Sequence, residues 1–163
     1  MIAIFVAGTG TEVGKTWIAT RLIATLRERG HAVSARKPAQ SFAPSELGHT
    51  DAELLGAATG ESPFIVCPER RWYGTPMAPP MAAAALGRPP FTVAELARET
   101  KLVGLTILEG AGGPRSPLAV DGDNVDFARA SAPVSWSWWR TPGWGSSTRW
   151  NSRPRRFMVS RRW

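Results

Sequence analysis

An α/β fold, with a parallel sheet flanked by helices, is predicted by three features of the sequence. Ile2 to Ala7 is an almost unbroken apolar run, the mark of a strand buried on both faces, because a half-solvated strand would alternate. A glycine-rich turn follows it, and then an amphipathic stretch in which Trp17, Ile18, Leu22, Ile23 and Leu26 recur at helical spacing. A further apolar run, Leu102 to Leu108, leads into a second glycine-rich turn, repeating the strand-then-loop pattern of open α/β sheets.

The first turn is Gly8-Thr9-Gly10-Thr11-Glu12-Val13-Gly14-Lys15-Thr16. Glycines let successive backbone N–H groups face an anion, and the helix N-terminus behind them adds partial positive charge. Lys15 is then placed to reach outer phosphates, and the Thr16 hydroxyl to ligate Mg²⁺. The strict pattern GxxxxGK[ST] needs Gly where Thr9 stands; Gly8 lies one residue further out, so the loop is a longer variant. An ordinary strand-to-helix turn has no need of Gly-Lys-Thr. The fold class is therefore a P-loop NTPase-like α/β sheet that binds a nucleoside triphosphate.

The remaining elements follow in order. Thr16 to Arg29 is the first helix, and Gly30 stands where a C-terminal cap belongs. His31 to Pro38 is the second strand, with His31 read as a solvated polar residue, and Ala39 to His49 is a loop. Thr50 to Thr59 is a helix with Thr50 as N-cap, Glu53 at the capping-box position and Gly60 as terminator. Composition leaves Asp51 open between helix-dipole complementarity and metal ligation. Phe64 to Cys67 reads as a short strand and Pro68 to Pro80 as irregular. Met81 to Leu86 and Thr92 to Lys101 read as helices, the second opened by a Thr92/Glu95 capping box. Leu102 to Leu108 delivers Glu109 to the loop Gly110-Ala111-Gly112-Gly113. A carboxylate at a strand end beside a P-loop is how NTPases complete an Mg²⁺ shell. Asp121, Asp123 and Asp126 lack the glycine and terminal Glu of a Ca²⁺ loop and read as a polar turn entering a helix.

Charge narrows the class. The 163 residues carry a net charge of +7, yet residues 1–134 hold 13 Lys/Arg against 13 Asp/Glu. The excess is Arg140, Arg149, Arg153, Arg155, Arg156, Arg161 and Arg162, in a segment, 135–163, that also holds six of the eight Trp and neither Leu nor Ile. No apolar run spans a bilayer and no basic leader precedes the first strand, so a soluble, cytoplasmic, single-domain protein is expected. The lone Cys67 is read as buried packing, and with only His31 and His49 beside it a Cys/His metal site is not expected.

The motifs taken together resemble a family. The loop Gly8 to Thr16, then Lys37-Pro38-Ala39-Gln40-Ser41, Asp51 on a helix, and Glu109-Gly110-Ala111-Gly112-Gly113 are similar in order and spacing to ATP-dependent dethiobiotin synthetase, a ligase of biotin synthesis, over residues 1–134. The resemblance implies Mg²⁺ and ATP as cofactors, 7,8-diaminononanoate and CO₂ as substrates, and a homodimer. It implies that Glu12, Val13, Gly14, Lys15, Thr16 and Trp17 hold the triphosphate and that Thr16, Asp51 and Glu109 hold the metal. Lys37 would be a second catalytic cation beside Lys15, Thr11 and Ser41 would bind carbamate and phosphate oxygens, and Gly110, Ala111 and Gly112 would lie along substrate and nucleotide. Pro114-Arg115 depart from the family's apolar residues after the glycine loop. From Ser135 onward the family's next strand, Gly-Leu-Gly turn and helix are not legible.

That tail has an economical explanation as out-of-frame translation. Trp is encoded by TGG alone, so a frame one base earlier converts each Trp into Leu, Met or Val. One permitted back-translation of Ser135 to Ser152 reads VVVVVADAGLGIVNAVEL, an apolar strand, a Gly-Leu-Gly turn and a helix start. The expected organisation is a P-loop synthetase domain at 1–134 and an aberrant Trp/Arg tail at 135–163 that is not a domain, leaves the sheet short of an interior strand and impairs activity. Two other readings remain: a partition-type regulatory P-loop ATPase, and a nucleic-acid-binding module using the basic tail. Neutrality of residues 1–134 makes nucleic acid an unexpected partner, and no membrane partner is expected.

Overall fold

A computed structural model describes residues 1–45, 48–131 and, as a backbone strand, 134–139. Its centre is a four-stranded, all-parallel sheet in the order β2-β5-β1-β8, formed by β1 (Ile2–Gly8), β2 (Val33–Arg36), β5 (Leu105–Glu109) and β8 (Val134–Trp139). Between β1 and β2 runs α1 (Lys15–Glu28), and Gly30 after it takes the left-handed φ of 82° that ends a helix without a Cβ penalty. Two-residue strands β3 (Gln40–Ser41) and β4 (Trp72–Tyr73) pair in parallel beside the main sheet.

Local chemistry sets most of the boundaries. α2 (Asp51–Thr59) has the full Thr50/Glu53 capping box and Gly60 as its left-handed terminator. Phe64 to Cys67 is not a strand: α3 (Pro63–Val66) is a helical turn, opened by Ser62 accepting from the Phe64 N–H and by Pro63 at its first position. A four-residue apolar run suits either state, and the Ser-Pro start decides for the helix. α4 (Pro79–Ala85) begins two residues before Met81, again on proline, while α5 (Val93–Glu99) carries the Thr92/Glu95 capping box. A small antiparallel pair, β6 (Pro117–Ala119) and β7 (Gly122–Asp123), leads to α6 (Asn124–Ala130), whose cap is Asp123 with Asp126 reciprocating. The aspartates there are a capping box, in keeping with a polar turn entering a helix.

β1 feeds two cores. Phe5 and Ala7 face one, with Tyr73, Phe91, Leu96, Leu118 and Phe127; Val6 faces the other, with Ala19, Ile23, Leu55, Cys67 and Ile107. A strand covered on both faces needs apolar residues at both parities, which is why Ile2–Ala7 does not alternate. Cys67 is fully buried, and burial pushes its thiol up to about 12.

One expectation changes. The sheet does not stop short beside β1: the backbone of Val134–Trp139 lies parallel to it, Ala3 opposite Val134 through Gly8 opposite Trp139. Backbone pairing asks little of side-chain identity, and Ser-Trp alternation is compatible with a strand. The frame-shift reading of residues 135–163 lies, from 140 onward, outside the described residues.

Candidate phosphate and metal site

The two glycine-rich loops leave the carboxyl ends of β1 and β5, and the Lys37–Ser41 segment leaves that of β2 beside them, where open α/β sheets bind ligands. The first loop folds back beneath itself. A Cβ on Gly8 would stand 2.4 Å from Val13 Cγ2 and 2.8 Å from Lys15 Cγ, so only glycine lets the chain leave β1 this way. Glu12 sits at φ 55° and Gly14 at φ 87°, and α1 starts with no side chain capping its N-terminus. Its first backbone N–H groups are therefore left for an anion.

A cleft of about 780 Å³ opens in front of this loop. Thr11, Glu12, Gly14, Lys15, Thr16, Trp17, Lys37, Ser41, Asp51, Ala111 and Gly112 all line it, so the sequence-predicted residues converge on one place. Val13 does not line it; its side chain is packed under the loop against Gly8. Glu109 and Gly110 do not line it either; Glu109 is fully buried beneath the floor residues Thr16 and Lys37, which it contacts. Ser41 donates its hydroxyl to the Met77 carbonyl, which ties the cleft wall together. Trp17 is largely exposed at the rim, with the Arg21 guanidinium 5.6 Å from its ring centroid.

At the floor, two carboxylates share a hydroxyl and a lysine. Thr16 Oγ1 lies 2.6 Å from Asp51 Oδ1 and 3.0 Å from Glu109 Oε1, one proton between two acceptors. Lys37 Nζ lies 2.7 Å from Asp51 Oδ2 and 2.8 Å from Glu109 Oε1, and 3.3 Å from the Gly110 carbonyl. Lys15 donates to the Gly10 carbonyl. Burial pulls the Lys37 ammonium down, but Asp51 and Glu109 together outweigh it and hold it above the ordinary lysine value. Lys37 in turn holds the Asp51 carboxyl below the usual range, whereas burial raises that of Glu109. Lys15 is lowered by its own burial and then by repulsion from Lys37.

The donor set fits a hard divalent ion. Glu109 Oε2 is buried with no hydrogen-bond partner among the described residues, a carboxylate oxygen free to take a cation. Two lysines are balanced here by two carboxylates, so a triphosphate requires an added cation. Among the described residues no three His, Cys, Asp or Glu cluster as a complete metal cage. Two carboxylates and a hydroxyl, with phosphate oxygens completing the shell, is the arrangement Mg²⁺ favours.

The second glycine loop is held by a residue that sequence reasoning missed. Asn124, first residue of α6 and 1% exposed, accepts from the Ala111 N–H at 3.1 Å and donates to the carbonyls of Ala111, Gly113 and Ser116 at 2.7, 2.8 and 3.3 Å. A Cβ on Gly110 would meet Asn124 Oδ1 at 2.3 Å, and Gly112 has φ 71°. The loop's glycines are thus needed for a clamp as much as for a ligand. Nothing in the sequence around Asn124 separates an inward amide from an ordinary cap neighbour.

A family model described as "AAA domain" matches residues 3–134. The chain belongs to that family. This AAA domain is also 38% identical over 143 residues to the ATP-dependent dethiobiotin synthetase BioD of Caulobacter sp. (strain K31), a match covering 82% of the chain and 61% of the relative. It is 34% identical over 146 residues to the synthetase of the same name from Methylobacterium nodulans, covering 80% and 64%. The Parafrankia sp. protein so named is 39% identical over 141 residues, covering 82% and 57%. The chain therefore spans about three fifths of the length of these curated relatives.

Proposed function

We propose that this chain carries the nucleotide and carbamate half of an ATP-dependent dethiobiotin synthetase, closing a ureido ring from 7,8-diaminononanoate and CO₂. The observation that carries the reading is Lys37, buried at the junction of the phosphate loop and the two candidate metal carboxylates. A simple NTPase switch needs one lysine at the terminal phosphates; ligation has two anions to bring together, and this cleft holds two lysines. The name borne by the relatives favours the synthetase over a partition-type ATPase, and nothing described favours a nucleic-acid module.

In this reading Lys15 and the backbone N–H groups from Glu12 to Trp17 hold the triphosphate. Thr16, Asp51 and Glu109 would hold Mg²⁺, which supplies charge neutralisation on the transferring phosphoryl group. One amine of the diamine captures CO₂ as a carbamate. Lys37 draws the carbamate oxygen and the γ-phosphate together, with Thr11 and Ser41 on the surrounding oxygens. The mixed anhydride so formed is attacked by the second amine, expelling phosphate. Little covalent work falls to the protein in phosphoryl transfer, so orientation and charge suffice. The resemblance of the motifs further implies a homodimer. Isotope-labelled bicarbonate with diamine and Mg-ATP tests the reading: label appearing in a cyclic urea with matching ADP release supports it, and ATP hydrolysis indifferent to the diamine refutes it.

A further inference from the structure

Gln40 is a buried amide with one end in use. It is 2% exposed, lies on β3 between Lys37 and Ser41, and lines the cleft. Its Oε1 accepts from the Ala52 N–H at 3.0 Å, one of the open donors in the first turn of α2. Its Nε2 is buried and has no hydrogen-bond partner among the described residues. An amide left in this state loses hydration without replacement. The next residue to the braced amide is Asp51, whose carboxylate faces Lys37 and Thr16.

We propose that Gln40 is a two-ended residue of the ligation site, with Oε1 fixing the start of α2 and Nε2 donating to an oxygen of the anion held beside Lys37. This rests on the function proposed above. The geometry accounts for an amide at this position where apolar or purely accepting side chains fit less well. A carboxylate could brace Ala52 equally, being an acceptor at a helix N-terminus, but it has nothing to donate to an anion. An apolar side chain of similar size would do neither. The acceptor is an oxyanion that two chemical sources supply, the γ-phosphoryl group or the substrate carbamate, and the cleft brings both to the same lysine.

The test compares Gln40→Glu and Gln40→Leu with the unaltered chain by isothermal titration. The probes are Mg-ADP, the Mg-bound β,γ-imido analogue of ATP, and diaminononanoate with bicarbonate added to ADP-loaded protein. Mg-ADP should bind all three proteins alike, since Gln40 is not assigned to the α- or β-phosphate. Both variants should lose about tenfold or more for one of the other two probes, the worth of a hydrogen bond to a charged group. Loss for the imido analogue identifies the phosphoryl oxygen, and loss for diamine with bicarbonate identifies the carbamate. Both variants should lower the melting temperature, Gln40→Leu by leaving the Ala52 N–H without its acceptor and Gln40→Glu by burying a charge next to Asp51, so the donor is read from the binding losses and not from stability. If Gln40→Glu binds every probe as tightly as the unaltered chain, Gln40 is a brace alone and the inference is overturned. An unaltered chain that fails to bind Mg-ADP overturns the underlying reading as well.

Discussion

Lys37 concentrates the residue-scale physics. Its ammonium is compensated by two carboxylates, one of them wholly buried. Removing Lys37 leaves the buried Glu109 carboxylate without its counter-charge and facing Asp51, whose side chain is 41% exposed. Lys37→Met should therefore cost about 3 to 5 kcal/mol of folding stability, and millimolar Mg²⁺ should restore part of it by binding the freed carboxylates. Thermal melts with and without MgCl₂ measure this; a melting temperature unchanged by the substitution would show that the cluster does not couple to folding.

The same cluster makes a signed pH prediction. Asp51 is held low, by Lys37 first, so it contributes stability above its unfolded range that is lost as pH falls through its folded value. Glu109 has the opposite sign: burial raises it, so its protonation on acidification relieves the fold. Asp51 thus shares the acid-side loss with the other carboxylates held low, Glu53, Glu95, Glu99 and Asp123, and Asp51→Asn should make the stability profile flatter as pH falls below the ordinary carboxylate range. Identical profiles for the two proteins would contradict the assignment.

At the scale of elements, the site is an assembly of loop ends, each tied by something other than a ligand. The Thr50/Glu53 box starts α2 one residue before Asp51 and so sets where that carboxylate begins. Asn124 ties α6 to the Gly110–Gly113 loop through one incoming and two outgoing hydrogen bonds, with a third to the Ser116 carbonyl. Asn124→Ala should leave several of those backbone groups unsatisfied and cost about 2 to 4 kcal/mol. Native-state proteolysis should then cut within residues 110–116 well before global unfolding. Uniform cleavage elsewhere would mean that the loop holds itself.

On the scale of the whole molecule, one sheet carries two cores. Ile23 is fully buried on one face and Phe127 on the other. Ile23→Ala should cost about 2 to 5 kcal/mol and Phe127→Ala about 3 to 5 kcal/mol. Since β1 contributes to both faces, either substitution should shift a single cooperative transition. Denaturation followed by far-UV circular dichroism and by fluorescence should coincide in both variants, and separated transitions would show that the faces fold independently.

The strand-loop-helix core, the capping boxes of α2 and α5, the loop glycines and the two lysines were legible in sequence because each depends on residues close together in the chain. Caps, φ > 0 glycines and apolar periodicity are local physics. One element was legible but read as a strand, and two things were settled only by tertiary structure. Phe64–Val66 became helix because Ser62-Pro63 outweighed a short apolar run. Val134–Trp139 joined the sheet because β1 has backbone groups to pair whatever the side chains are. Asn124 and Gln40 acquired roles because a side-chain amide takes its partners from distant backbone, and sequence spacing carries no record of which N–H or carbonyl the fold will bring within 3 Å.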